Sequence, residues 1–198
     1  TQGPLTVSIQ VAGYVAEGKA LRRDGAKVGD HIYVTGTTGD AALGLRCLQQ
    51  ADRFTKDKQA IEKLNRPIPR VATGLAIGDV ASACIDISDG LLADIGHILE
   101  KSRVGASIDR AKIPLSSSLQ KLCQEDEINY GLALSGGDDY ELCFCASPEH
   151  EKTIQSIAEK TATPISCIGV IEEQPGLRLH HAGQPVTTDI QPGYEHFK

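Results

Sequence analysis

The run Cys84-Ile85-Asp86-Ile87-Ser88-Asp89-Gly90-Leu91-Leu92 decides how the rest of the chain is read. Apolar residues up to Ile87 read as a short buried strand, central to the domain. From Gly90 onward Leu91, Leu92, Ile95, Ile98 and Leu99 recur at helical spacing. Ser88 is a suitable N-cap for that helix. Asp86 and Asp89 therefore leave the scaffold at one strand-to-helix junction, the place where open α/β structures put their chemistry. Two neighbouring carboxylates repel each other, and a divalent cation is one remedy. Acidic residues also favour helix N-termini for their own sake, so simple capping is the competing reading.

Composition narrows the classes. A chain of 198 residues, 40% hydrophobic and 23% charged, has the makeup of a soluble globular protein with one sizeable core, or one domain plus an appendage. No run approaches the roughly 18 apolar residues that span a bilayer, and nothing resembles a signal peptide. The formal charge of −6 argues against a nucleic-acid surface. Six cysteines, at 47, 84, 123, 143, 145 and 167, lack C-x-x-C spacing and lie mostly in apolar segments. This is the pattern of buried thiols in a reducing cytoplasm, not of a metal site. The chain opens Thr1-Gln2-Gly3-Pro4 and contains no methionine, which reads as part of a longer protein.

Outward from the junction, Leu5 to Val15 alternates as a half-buried strand whose sheet partners may be sought outside the chain. His31 to Val34 is a second strand. The loop Gly36-Thr37-Thr38-Gly39-Asp40 precedes a helix from about Ala41 to Gln50, and its N–H groups suit either an anion or an ordinary turn. Helices follow over about 56–64 and 70–80, separated by Pro67-Ile68-Pro69. Beyond the junction, Asp94 and His97 fall on or near the helix's polar side, with His97 structural or solvent-facing. A short strand at 106–108 and a helix at 116–125 lead to Ser135-Gly136-Gly137-Asp138-Asp139-Tyr140-Glu141-Leu142. There the double glycine gives unusual backbone freedom before an alternating strand. It is either a solvated turn or a carboxylate offered to a ligand. A helix over 150–160 and strands over 164–171 and 176–180 close the pattern, which is that of a mixed sheet covered by helices.

Three ordered motifs, Ile85-Asp86-Ile87-Ser88-Asp89-Gly90-Leu91, Ser135-Gly136-Gly137-Asp138-Asp139-Tyr140-Glu141-Leu142 and Gly193-Tyr194-Glu195-His196-Phe197, resemble those of the thiamine-monophosphate kinase family. That family belongs to the ATP-binding superfamily of aminoimidazole ribonucleotide synthetase and selenophosphate synthetase. The resemblance runs from Thr1 to Phe197. It implies an α+β fold, a mixed β-sheet flanked by helices on both sides, with residues 1–15 as the last strand of an upstream ATP-binding domain and 16–198 as the C-terminal α+β domain. It implies transfer of the ATP γ-phosphate to thiamine monophosphate, giving thiamine diphosphate and ADP. By the same resemblance Asp86 and Asp89 are magnesium ligands, Arg23 and Ser88 contact ATP, and Asp138 and Tyr194 bind substrate. At 138 the family often has the longer Glu. The family implies a cytoplasmic enzyme without nucleic-acid or membrane partners. It also implies a homodimer built largely through the upstream part, which leaves residues 1–198 free to be monomeric and, alone, inactive. Another substrate within the superfamily, or a non-catalytic metal- or partner-binding module, is the alternative.

Overall fold

A computed structural model describes residues 7–50 and 57–186. Seven strands form one sheet: β1 (His31–Thr35), β2 (Ala81–Ile87), β3 (Gly105–Asp109), β4 (Glu141–Ala146), β5 (Ile165–Glu172), β6 (Gly176–His181) and β7 (Gln184–Pro185), in the spatial order β2-β4-β1-β5-β3-β6-β7. The β3–β6 pair is parallel and the other pairs are antiparallel. The sheet is therefore mixed, as the sequence pattern predicts. The last two long strands do not pair with each other; they flank β3 from either side.

Period-two alternation sends the strands' side chains into two cores. Ile32, Val34, Ala83, Ile85, Ile87, Cys143 and Cys145 point to one face. It is covered by α1 (Asp40–Gln49), α2 (Lys58–Asn65), α4 (Leu91–Ser102), α5 (Ser117–Glu125) and α6 (Tyr130–Ser135). Tyr33, Cys84, Phe144 and Ala146 point to the other, where Ile77, after α3 (Val71–Ala76), and Ile154 and Ile157 of α7 (Glu151–Lys160) meet them. Tyr33 and Phe144 stack there with ring centroids 5.2 Å apart. Helices thus lie on both sides of the sheet. Cys143 and Cys145 share a face and pack, and burial pushes both thiols up, away from reactivity.

One local expectation needs correction. β2 is an edge strand, hydrogen-bonded within the sheet to β4 alone, although most of its residues are buried. Residues 7–15 pair with no strand of this sheet, and Ile9 and Val11 are 84% and 90% exposed, as expected of a strand whose partners lie elsewhere. Leu5 and Thr6 of that stretch lie outside the described residues, as does Lys56 of the expected helix that corresponds to α2. Ahead of the double glycine the chain forms α6, which the sequence reading leaves unassigned because a helix of this length is too short to show a period.

Candidate functional site

The acidic residues gather where β2 ends and β4 begins. β4 runs antiparallel to β2, with Asp86 opposite Leu142 and Ile87 opposite Glu141. The pairing continues beyond the strands: the Tyr140 N–H donates to the Ile87 carbonyl (2.8 Å) and the Asp138 N–H to the Ser88 carbonyl (2.9 Å). Two motifs about fifty residues apart are thereby laid side by side. Glycine permits it. A Cβ at Gly137 would lie 2.4 Å from the Ser88 carbonyl oxygen, and one at Gly90, where φ is +115°, would sit 2.9 Å from the Ser135 carbonyl.

Asp86 is exposed on β2 and Asp89 half-buried in the turn. Asp138 is exposed at φ 66° and Tyr140 follows at φ 49°, two left-handed non-glycine residues within one loop. The Tyr140 hydroxyl donates to Asp138 Oδ1 (3.3 Å). Burial, then the Asp138 charge and hydrogen bond, then the charges of Asp86 and Asp89 push the phenol up from its ordinary value. All three predicted acids therefore act on one tyrosine that sequence reasoning did not single out. Its signal was available: it stands between the acids and the strand in the quoted motif.

The turn that carries Ser88 and Asp89 is not capped by Ser88. Gly90 occupies the N-cap of α4 without a side-chain cap. Instead Asp94 Oδ2 accepts the N–H groups of Ser88 (3.0 Å) and Asp89 (3.1 Å). Expected on the polar side, Asp94 is 2% exposed, because the unpaired N–H groups of the turn draw its carboxylate inward. Burial pushes that carboxyl up, opposed by the two N–H donors. His97 is exposed, as expected.

The N–H groups of the loop before α1 do find an acceptor, and it belongs to the chain. Asp139 Oδ2 accepts the Gly39 N–H (2.6 Å) and its Oδ1 the Ala41 N–H (3.3 Å). Next to it Asp40 Oδ2 accepts from Thr37 Oγ1 and Lys63 Nζ, both at 2.6 Å. Enclosed beneath the loop, the Asp139 carboxyl is pushed by burial up to about 7, against the pull of those two N–H groups. An unfolded aspartate titrates near 3.9. The folded state then holds this proton more tightly, so stability should fall as pH rises from about 4 to about 7 and level off above. Urea unfolding at pH 5 and pH 8 should show the unchanged chain losing on the order of 1 kcal/mol or more relative to Asp139→Asn across that window. Parallel pH profiles of the two would remove Asp139 as the cause.

Below the loop lies a buried ion pair. Arg70 grips Glu141 with two bonds, Nε to Oε2 (2.7 Å) and Nη2 to Oε1 (2.6 Å), and Thr35 Oγ1 donates to the same carboxylate (2.6 Å) while accepting the Leu142 N–H (2.8 Å). Neither Arg70 nor Thr35 stands in a motif legible in the sequence.

Arg23 lies apart. It is exposed; its carbonyl accepts from Ser102 Oγ (3.1 Å) at the far end of α4, and the neighbouring Arg22 carbonyl accepts the Cys84 N–H (2.8 Å). That places the Arg22 carbonyl beside β2 at Cys84, two residues from Asp86 or roughly 7 Å at a strand's rise per residue. Tyr194 lies outside the described residues. The structure thus brings together Asp86, Ser88, Asp89 and Asp138, and it keeps the backbone of Arg23 at a distance.

Residues 27–182 match the model of the AIR synthase related protein family, C-terminal domain. The chain belongs to that family. Against individual relatives, it is 41% identical over 201 residues to the thiamine-monophosphate kinase of Salmonella typhimurium, covering 100% of this chain and 61% of the relative. Among solved structures, the thiamine-monophosphate kinase of Stenotrophomonas maltophilia K279a superposes with a TM-score of 0.77 at 41% identity, over 87% of this chain and 56% of that one. A structure described as AaThiL complexed with AMPPCP and TMP gives 0.72 at 32% identity, over 89% and 54%. The chain thus spans somewhat over half the length of the relatives it matches. The family assignment agrees with the mixed sheet and its two helical layers, and among the described residues no helix is long and apolar enough to cross a membrane.

Proposed function

We propose that this chain is the C-terminal part of an ATP-dependent kinase that phosphorylates thiamine monophosphate to thiamine diphosphate. The observation that carries the reading is the backbone pairing of Asp138 with Ser88, which gathers the acids of two distant motifs where β2 ends and β4 begins. The identity to thiamine-monophosphate kinases, and the binding of AMPPCP and TMP by a structural relative, support it.

The donors gathered there are carboxylate oxygens, the set a hard divalent cation takes, and two of them leave one turn. Asp86 and Asp89 would hold magnesium. Bound there, the ion supplies charge neutralisation for the nucleotide's phosphates. The chain's own groups do the rest. A phosphate monoester with its second pKa near 6 is largely ionised at neutral pH, so the acceptor needs no general base, and the task left to the protein is to hold two anions in line. Ser88 and Arg23 would contact ATP, Arg23 reaching a part of it distant from the acidic turn. Asp138, lifted out of the loop by its left-handed backbone, would face thiamine's permanent positive charge, with Tyr194 as the aromatic partner.

Residues 1–15 would complete the sheet of an upstream ATP-binding domain, a reading supported by the exposed Val7, Ile9 and Val11. Homodimerisation through that upstream part and a cytoplasmic location, in keeping with the buried thiols, belong to the same proposal.

The test is turnover by the complete protein with ATP, magnesium and thiamine monophosphate, followed as thiamine diphosphate. Aminoimidazole substrates serve as the competing arm, and turnover of those instead would move the assignment within the superfamily. In the same protein Asp138→Asn should raise KM for thiamine monophosphate about tenfold while KM for ATP changes little. Equal weakening for both would make Asp138 structural.

A further inference from the structure

We infer that Asp94 is the positioning residue of the acidic turn: its buried carboxylate clamps the backbone of Ser88 and Asp89 and so fixes the direction in which Asp89 leaves the scaffold. This rests on the reading of Asp86 and Asp89 as cation ligands.

A strand that turns straight into a helix leaves N–H groups without ladder or helix partners at the bend. Here those of Ser88 and Asp89 converge on a single oxygen, Asp94 Oδ2, at 3.0 and 3.1 Å. Asp94 comes from the first turn of α4, and its own N–H donates to the Gly90 carbonyl (3.0 Å), so the carboxylate is tied to the helix whose start it organises. From the other side the Asp138 N–H holds the Ser88 carbonyl. Both polar atoms of the Ser88 main chain are therefore fixed, one by each motif. Two N–H donors converging on one acceptor oxygen fix both the position and the direction of the turn's backbone. A cation site on a bare, glycine-flanked turn would have to order that turn on binding, whereas one on a clamped turn is already ordered.

Asp94 is also near enough to Asp89 and His97 for all three to offer ligand atoms within 4.8 Å of one another. The alternative is thus that Asp94 is itself a ligand. The two roles separate by substitution. Asparagine keeps an oxygen that accepts N–H bonds but loses the charge a ligand supplies, while alanine loses both.

The experiment measures Mn2+ binding to residues 1–198 by electron paramagnetic resonance, together with amide hydrogen exchange at Ser88 and Asp89. Asp94→Ala should speed exchange at both amides and weaken Mn2+ at least tenfold; Asp94→Asn should keep protection and lose less than threefold. Wild-type binding and protection in Asp94→Ala would overturn the inference. So would a folded Asp94→Asn that binds Mn2+ as poorly as Asp89→Asn while its amides stay protected, since that is the behaviour of a ligand. Should Asp94→Ala not fold, the asparagine variant decides alone by the same two readouts. Unchanged Mn2+ binding in Asp89→Asn is the separate result that removes the metal reading, and the clamp is then judged by the exchange rates.

Discussion

Glu141→Ala is expected to cost the domain about 3–5 kcal/mol, the usual penalty for stranding one partner of a buried ion pair. The side chains of Glu141 and Arg70 are 5% and 16% exposed, so water cannot replace the lost bonds cheaply. Removing the carboxylate leaves the guanidinium with two directed N–H groups unmatched and also strips Thr35 of its acceptor. Against a typical total of about 5–15 kcal/mol, such a loss should lower the melting temperature severely. Glu141→Gln keeps the shape and some of the hydrogen bonds and should cost distinctly less. Equilibrium urea unfolding measures both. A loss below about 1 kcal/mol for the alanine variant would put the pair in the class of screened surface bridges.

The second large effect concerns chemistry. In the complete protein, Asp86→Asn or Asp89→Asn should lower phosphoryl transfer at least tenfold without unfolding the domain. Asp86 is exposed and Asp89 half-buried, so neither substitution opens a cavity. Each removes a unit of negative charge from a turn whose proposed task is to hold a cation against phosphate oxygens. A tenfold loss corresponds to about 1.4 kcal/mol in the barrier, a modest demand on a cation ligand. The measurement is kcat at limiting and at saturating magnesium, with circular dichroism to establish folding. Wild-type rates in both variants at limiting magnesium would end the ligand assignment.

Much of this was legible in the sequence because it is local. The alternation of Leu142 to Cys145 and the helical spacing of Leu91 to Leu99 specify their elements through contacts a few residues apart. What escaped reading depends on partners far along the chain. Asp94 looks like a polar-face residue until the bent backbone at Ser88 supplies donors for it. Asp139 looks like one more acid in a solvated turn until α1, a hundred residues upstream, presents its N-terminus. Arg70 has no local sign of importance, since its meaning lies entirely in Glu141. The edge position of β2 was hidden for a related reason: an apolar run reports that side chains are covered, and helices cover this strand on its faces without any second strand beside it.

The pairing of β1 bears on how the domain comes into being. Its five residues are among the first of the sheet to be synthesised, yet both neighbours, β4 and β5, arrive more than a hundred residues later. On a translating ribosome Ile32 and Val34 must wait, apolar and unsheltered, while the intervening helices emerge. Topologies dominated by such distant pairings fold slowly, on the order of milliseconds to seconds. The acidic cluster depends on β4 as well, so it can be assembled only after the chain has passed Ala146, and a nascent chain stalled before that point would hold helices and loose strands but not the paired acidic motifs. Such a chain is the natural client of a chaperone, with its exposed strand edges its greatest hazard.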